Sequence, residues 1–189
     1  MKFRSVLLLI LLGIIAGLGI GVLRIVSVKH SKAFNQYGSW KGTNNLALNK
    51  NSLLTTQVTL FALFALPSQE AVYLFATEDE QGNVLNGSNT YIIEGNIHDI
   101  KTVYWSITAY GPDQYLIPNE INRYAFNAGN LQTDILGNFK IILAAERSGV
   151  NWLPVKRDRA FRLVLRLYQG EHDFIGHLEN AHLPKIKRM

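Results

Sequence analysis

The chain has 189 residues, 48% of them hydrophobic and 17% charged, with no cysteine and a formal net charge of +5. That length allows one ordinary domain beside a short targeting or anchoring segment, and the missing cysteine excludes disulfides, thiol nucleophiles, iron–sulfur clusters and Cys-type zinc sites. The charge excess comes wholly from Lys2, Arg4, Arg24, Lys29 and Lys32, so the chain beyond residue 32 is neutral and offers no basic footprint for nucleic acid.

Residues 6–23 contain only Val, Leu, Ile, Ala and Gly. At ~1.5 Å of rise per residue they reach roughly 27 Å, enough for a bilayer core. A signal peptide is the rival reading, since Lys2 and Arg4 form a basic leader. The sequence after the apolar core, Arg24-Ile25-Val26-Ser27-Val28-Lys29, lacks the small residues that cleavage requires, which favours an uncleaved anchor over residues 1–28. Because long domains translocate largely regardless of flanking charge, the expectation is a single-pass bacterial inner-membrane protein with a periplasmic domain. Gly13, Gly17 and Gly21 recur at i, i+4 spacing and would offer one close-approach stripe to another membrane helix. The alternative is the general abundance of Gly in membrane helices. The basic flanks suit anionic membrane lipid.

Residues 29–51 read as a polar stalk, and 52–189 as the folded domain. Its first element is an amphipathic helix over 52–66, with Leu54, Val58, Phe61 and Ala65 on one face, Asn51 or Ser52 as cap and Pro67 as stop. That helix is expected to pack on the domain's own sheet. Strands follow at 71–76, 90–94, 101–110, 139–144 and 160–168. In the third, Val103, Trp105, Ile107 and Ala109 share one face; in the last, Phe161, Leu163, Leu165 and Leu167 alternate with Arg162, Val164, Arg166 and Tyr168. Turn chemistry at Gln81-Gly82-Asn83, Asn86-Gly87, Gly111-Pro112-Asp113 and Gly137-Asn138 can reverse the chain between them. The pattern predicts a mainly β fold: a jelly-roll-like antiparallel β-sandwich with one short helix, preceded by an N-terminal transmembrane helix.

No catalytic constellation is evident. His172, His177 and His182 are five apart, a spacing that converges on one point in neither a helix nor a strand, so no metal site is expected there. Glu78, Asp79 and Glu80 precede Gly82 without the alternating oxygens of a calcium loop. Ser106 lies mid-strand, outside any nucleophile elbow. No cofactor is implied. The best ligand-binding candidates are Asn122, Arg123, Tyr124, Asn151, Trp152 and Arg166, with Asn119 and Tyr168 nearby in pattern: a guanidinium fork for a carboxylate, and ring faces for a sugar. The competing reading is structural, with the same groups tying loops to the end of a sandwich.

The order Trp105-Ser106, Tyr110, Asn119, Asn122-Arg123-Tyr124, Asn151-Trp152-Leu153-Pro154 and Leu165-Arg166-Leu167-Tyr168, with Gly38-Ser39-Trp40 and the series Asp79, Gly82, Leu85, Gly87 and Tyr91, resembles the bacterial domain of unknown function DUF1214 in its short, membrane-anchored form. The resemblance implies a jelly-roll-like β fold and a companion domain that is fused in longer members. It brings no catalytic residues. The charged run Val155-Lys156-Arg157-Asp158-Arg159-Ala160 departs from the small, Pro- and Gly-rich family pattern. Two functional expectations follow. The first is a membrane-anchored envelope assembly or binding module that pairs with a companion-domain protein or with itself. The second is an envelope carbohydrate-binding protein or hydrolase using the Arg/Tyr/Trp cluster, with Glu120 as acid or base.

Overall fold

A computed structural model describes residues 3–26, 34–43 and 66–189. They fall into two compact units, the first containing the helix α1 (Phe3–Val26) and the second all other described residues. Over Ser5–Arg24 the mean hydropathy of α1 is 3.0, and none of this stretch is buried against protein. Its leucines stand 50% exposed at Leu7 and 67% at Leu18 and Leu23. A helix that is apolar all round suits lipid rather than a water-facing surface. It is long and apolar enough to cross a membrane, as an anchor or as a signal sequence. Among the described residues, a Cβ placed at Gly13, Gly17 or Gly21 would meet nothing within 4 Å.

The second unit is mainly β, with two sheets packed as a sandwich. Its strands are β1 (Asn35–Tyr37), β2 (Trp40–Gly42), β3 (Ala71–Ala76), β4 (Tyr91–Asn96), β5 (Thr102–Tyr110), β6 (Ala125–Asn127), β7 (Asn138–Ala144), β8 (Trp152–Pro154), β9 (Arg162–Gly170) and β10 (Lys185–Arg188). A short helix, α2 (His172–Gly176), follows β9. One sheet runs β1-β2-β3-β9-β5-β6 and the other β10-β4-β7-β8.

Period-two patterning explains the centre. The register of β9 with β3 and β5 aligns three cross-strand rows: Ala76–Leu163–Ala109, Leu74–Leu165–Ile107 and Val72–Leu167–Trp105. Every member of these rows is buried. Each fully buried Leu contributes about 1.5–3 kcal/mol relative to exposure in water. The facing sheet supplies Tyr91, Ile93, Phe139, Ile141, Leu143, Leu153 and Ile186 to the same core. Trp105 stacks on Phe139 with ring centroids 5.6 Å apart, joining the two layers.

The expected strands at 71–76, 90–94, 101–110, 139–144 and 160–168 all correspond to observed ones, β3, β4, β5, β7 and β9. One pairing departs from the antiparallel expectation: β8 runs parallel to β7, with Leu143 opposite Leu153, so the smaller sheet is mixed. Within the segment read as a stalk, β1 and β2 form a hairpin at the edge of the larger sheet. Trp40 there is 1% exposed, and its Nε1 donates to the Pro184 carbonyl at 2.6 Å. Three-residue strands are too short to carry a readable alternation, and long-range contacts, the Trp40 hydrogen bond and the pairing of β2 with β3, explain their place. The helix expected over 52–66 lies, but for Leu66, outside the described residues.

Candidate functional site

Three connections meet at one end of the sandwich: 111–124 between β5 and β6, 145–151 between β7 and β8, and 155–161 between β8 and β9. Together they line a cleft of about 900 Å³, within the range typical of small-molecule sites. Local chemistry shapes each wall. In the first, Gln114 N–H donates to the Gly111 carbonyl and Gly111 N–H to the Tyr115 carbonyl, closing a tight turn in which Gln114 adopts φ 70°. Further on, Asn119 Nδ2 donates to the Ile117 and Arg123 carbonyls at 3.0 and 2.9 Å, while Asn119 Oδ1 accepts from Arg123 N–H at 3.0 Å. One amide side chain therefore holds the whole turn closed.

The third wall is set by Gly87. A Cβ there would lie 2.0 Å from the Lys156 carbonyl oxygen, so only glycine lets the two backbones meet. Gly87 N–H donates to the Arg159 carbonyl at 3.0 Å, and Ser88 Oγ donates to Asp158 Oδ1 at 2.7 Å. These contacts fix the charged run 156–159 along the rim of the cleft. Of the four non-glycine residues with positive φ among the described residues, Gln114, Asn122 and Asp158 lie in these loops. Left-handed non-glycine residues concentrate where a fold holds a loop in a set shape for a task.

The rim is charged and partly self-neutralised. Arg159 Nη2 lies 2.7 Å from Asp113 Oδ2, and Arg157 pairs with Glu146. The Tyr115 backbone N–H is the main cause that holds the Asp113 carboxyl below its ordinary value; desolvation opposes it, and the Arg159 charge and hydrogen bond add to the lowering. Arg147, Lys156 and Glu120 also line the cleft and form no ion pair among the described residues. Between these charges stand exposed apolar side chains: Tyr115 at 76%, Leu116 at 42% and Ile121 at 45%.

The residues expected from sequence divide between this cleft and other places. Trp152 lines it, half-buried, with its indole Nε1 donating to the Ala144 carbonyl at 3.0 Å. Arg123 sits behind that wall, its Nη1 donating to the Trp152 carbonyl at 3.4 Å and its guanidinium 5.3 Å from the Phe126 ring centre. Tyr124 OH donates to Asn122 Oδ1 at 3.2 Å, and Asn122 has φ 50°. Asn151 is buried, donates to the Gln132 and Lys140 carbonyls at 2.7 and 3.0 Å, and accepts from Gln132 N–H at 2.9 Å. Its amide is thus occupied by backbone.

Arg166 lies on the outer face of the larger sheet, where Nη1 donates to Thr108 Oγ1 at 2.8 Å and Nη2 to Tyr110 OH at 2.5 Å. Beside it, burial pushes Arg162 down from its ordinary value and Tyr73 up, the latter also through the Tyr168 hydroxyl. The residues that sequence reasoning missed are Tyr115, Ile121, Arg147 and the 156–159 rim. The charged run after Pro154 was the available signal for the last of these. Elsewhere, His172 and His182 are highly exposed beside Asp173 and Asp99 respectively, with N–O distances of 3.8 and 3.9 Å.

Known proteins that resemble this chain establish its fold and family. A crystal structure of the VPA0106 protein from Vibrio parahaemolyticus aligns with a TM-score of 0.64 at 24% identity, covering 92% of this chain and 43% of that one. This chain therefore spans less than half the length of that protein. A second crystal structure, of an uncharacterised protein from Burkholderia cenocepacia, aligns with a TM-score of 0.45 at 18% identity over 64% of this chain and 29% of that one. No curated protein matches the chain. Residues 70–172, from just before β3 to the start of α2, match the family described as "Protein of unknown function (DUF1214)", and the chain belongs to that family.

Proposed function

We propose that this chain is a membrane-anchored module of the bacterial envelope, its domain on the periplasmic side, which pairs with a companion polypeptide. The observation that carries this reading is the coverage: nearly all of this chain corresponds to only 43% of the longer Vibrio protein. The remainder of that protein lies outside the region with which this chain aligns, and a partner carrying such a region would complete the same arrangement. Two features support the membrane side. The helix α1 is apolar enough to cross a bilayer, and Gly13, Gly17 and Gly21 form a stripe of small residues on it where a second membrane helix can approach closely.

The test is copurification of the tagged full-length chain from mild detergent, with mass spectrometry and sizing of the particle. A stoichiometric second polypeptide is expected, and a lone monomer overturns the pairing. Placement is tested separately by the accessibility of a single engineered cysteine in the 132–137 turn to a membrane-impermeant thiol reagent in intact cells and spheroplasts. Labelling only after the cytoplasm is opened would put the domain on the opposite side.

A further inference from the structure

We propose that the cleft at the loop end of the sandwich binds a single-chain amphiphile with an anionic head, of the class of medium-chain carboxylates. Two properties of the cleft converge on that chemistry. Its lip exposes Tyr115, Leu116 and Ile121 at 76%, 42% and 45%. Packing inside the domain does not require them there, and an apolar chain laid along them would remove that surface from water. The cleft volume of about 900 Å³ lies near the upper end of the small-ligand range.

The second property is charge. Asp113 and Glu146 neutralise Arg159 and Arg157, which leaves Arg147 and Lys156 against Glu120 alone among the charges lining the cleft. A site where two cations outside ion pairs face one anion carries an excess of one positive charge and, opened partly to water, favours a negative head group over a neutral or positive one. The wall that carries Lys156 is held in place by the close backbone contact at Gly87. Such a ligand satisfies both properties at once: the head meets Arg147 and Lys156, and the chain covers Leu116 and Ile121.

The experiment uses the full chain in lipid nanodiscs, titrated with decanoate, with decyltrimethylammonium and with acetate. Trp152 reports on the cleft, because Trp40 and Trp105 are buried at 1% and 3% exposure and do not line it. Decanoate is expected to change tryptophan emission saturably, with the change lost in Trp152→Phe. Acetate should have no effect. The double variant Arg147→Glu with Lys156→Glu should bind decanoate about tenfold more weakly, while its circular dichroism and melting stay as in the parent. A diazirine-bearing decanoate provides a second readout and should label peptides spanning 115–121 or 147–160. Equal saturable responses to the anionic and cationic amphiphiles overturn the proposal, as does an undiminished response in the double variant. A response that only rises linearly with ligand, together with absence of cleft labelling, overturns it as well.

Discussion

The β3–β9–β5 centre and the loop-end cleft use the same kinds of side chain for opposite ends. At the centre, Leu74, Leu163, Leu165, Leu167 and Ile107 are 0% exposed and sit in matched rows across three strands. At the cleft, Leu116 and Ile121 come from the same sequence vocabulary but stand 42% and 45% exposed beside charges. Apolar burial accounts for the first region as stability. It gives no such account of the second, where backbone held in left-handed conformations and an excess of basic side chains over acidic ones outside ion pairs accompany the exposed apolar groups. The contrast teaches that the two ends of one hydrophobic vocabulary differ in burial, and that the loop end is where apolar side chains stay in water.

Substitution can sharpen that contrast, and the largest effect is expected at the centre. Leu165→Ala, in the middle row, should cost about 2–5 kcal/mol through lost transfer energy and a residual cavity, read as a fall in the urea midpoint of the full chain. At the junction of core and cleft, Gly87→Ala forces a Cβ into the Lys156 backbone and should cost about 1–3 kcal/mol. Because it displaces the rim, it should also weaken decanoate binding. Loss of stability with binding unchanged would show that the 156–159 wall does not shape the cleft.

Asp79 provides an intermediate, pH-dependent case at a residue that does not line the cleft. This carboxylate is 3% exposed and accepts the backbone N–H groups of Gln81 and Asn83, each at 2.9 Å. Burial alone would raise its pKa, but hydrogen bonds from the Asn83 backbone and side chain and from Gln81 outweigh it, and the group is held below its ordinary value. A depressed folded-state pKa gives stability that is present above the ordinary carboxylate range and lost as pH falls through the depressed value. Asp79→Ala should therefore cost about 1–2 kcal/mol near neutrality. The difference from the parent should shrink steadily in thermal melts taken below the ordinary carboxylate range. A gap that stays constant with falling pH would assign the effect to lost packing instead.

The smallest stability effect is expected at the cleft itself. The pair Tyr115→Ser and Ile121→Ser should leave the melting transition almost unmoved, within about 0.5 kcal/mol for exposed positions, and yet reduce decanoate binding. A large destabilisation would show that these side chains serve the fold, and the two regions would then differ less than their exposures indicate.

Legibility followed the length of the element. Alternation over β5 and β9 placed both strands and their inward faces, because nine residues repeat the pattern often enough to be read. β1, β2, β6 and β8 are three residues each, and nothing local distinguishes them from loop. The candidate site was legible in part. Trp152 and Arg123 do lie together, with Arg123 Nη1 donating to the Trp152 carbonyl. Asn151 and Arg166 carry the same polar vocabulary, but backbone carbonyls occupy one and the Thr108 and Tyr110 hydroxyls the other. Residue type alone does not reveal whether a polar group is already satisfied.

By itself the sequence determined an apolar helix over the first two dozen residues, a neutral domain without thiol chemistry, and a β architecture with its central strands, because hydropathy and period-two alternation are local properties of the chain. Tertiary structure decided which loops share an end of the sandwich. It set Tyr115 and Ile121 around the same cleft as the rim at 156–159, and left Arg147 and Lys156 without an ion pair among the described residues while Arg157 and Arg159 are paired. Those outcomes depend on strand order and register, which are fixed by contacts between residues far apart in the chain.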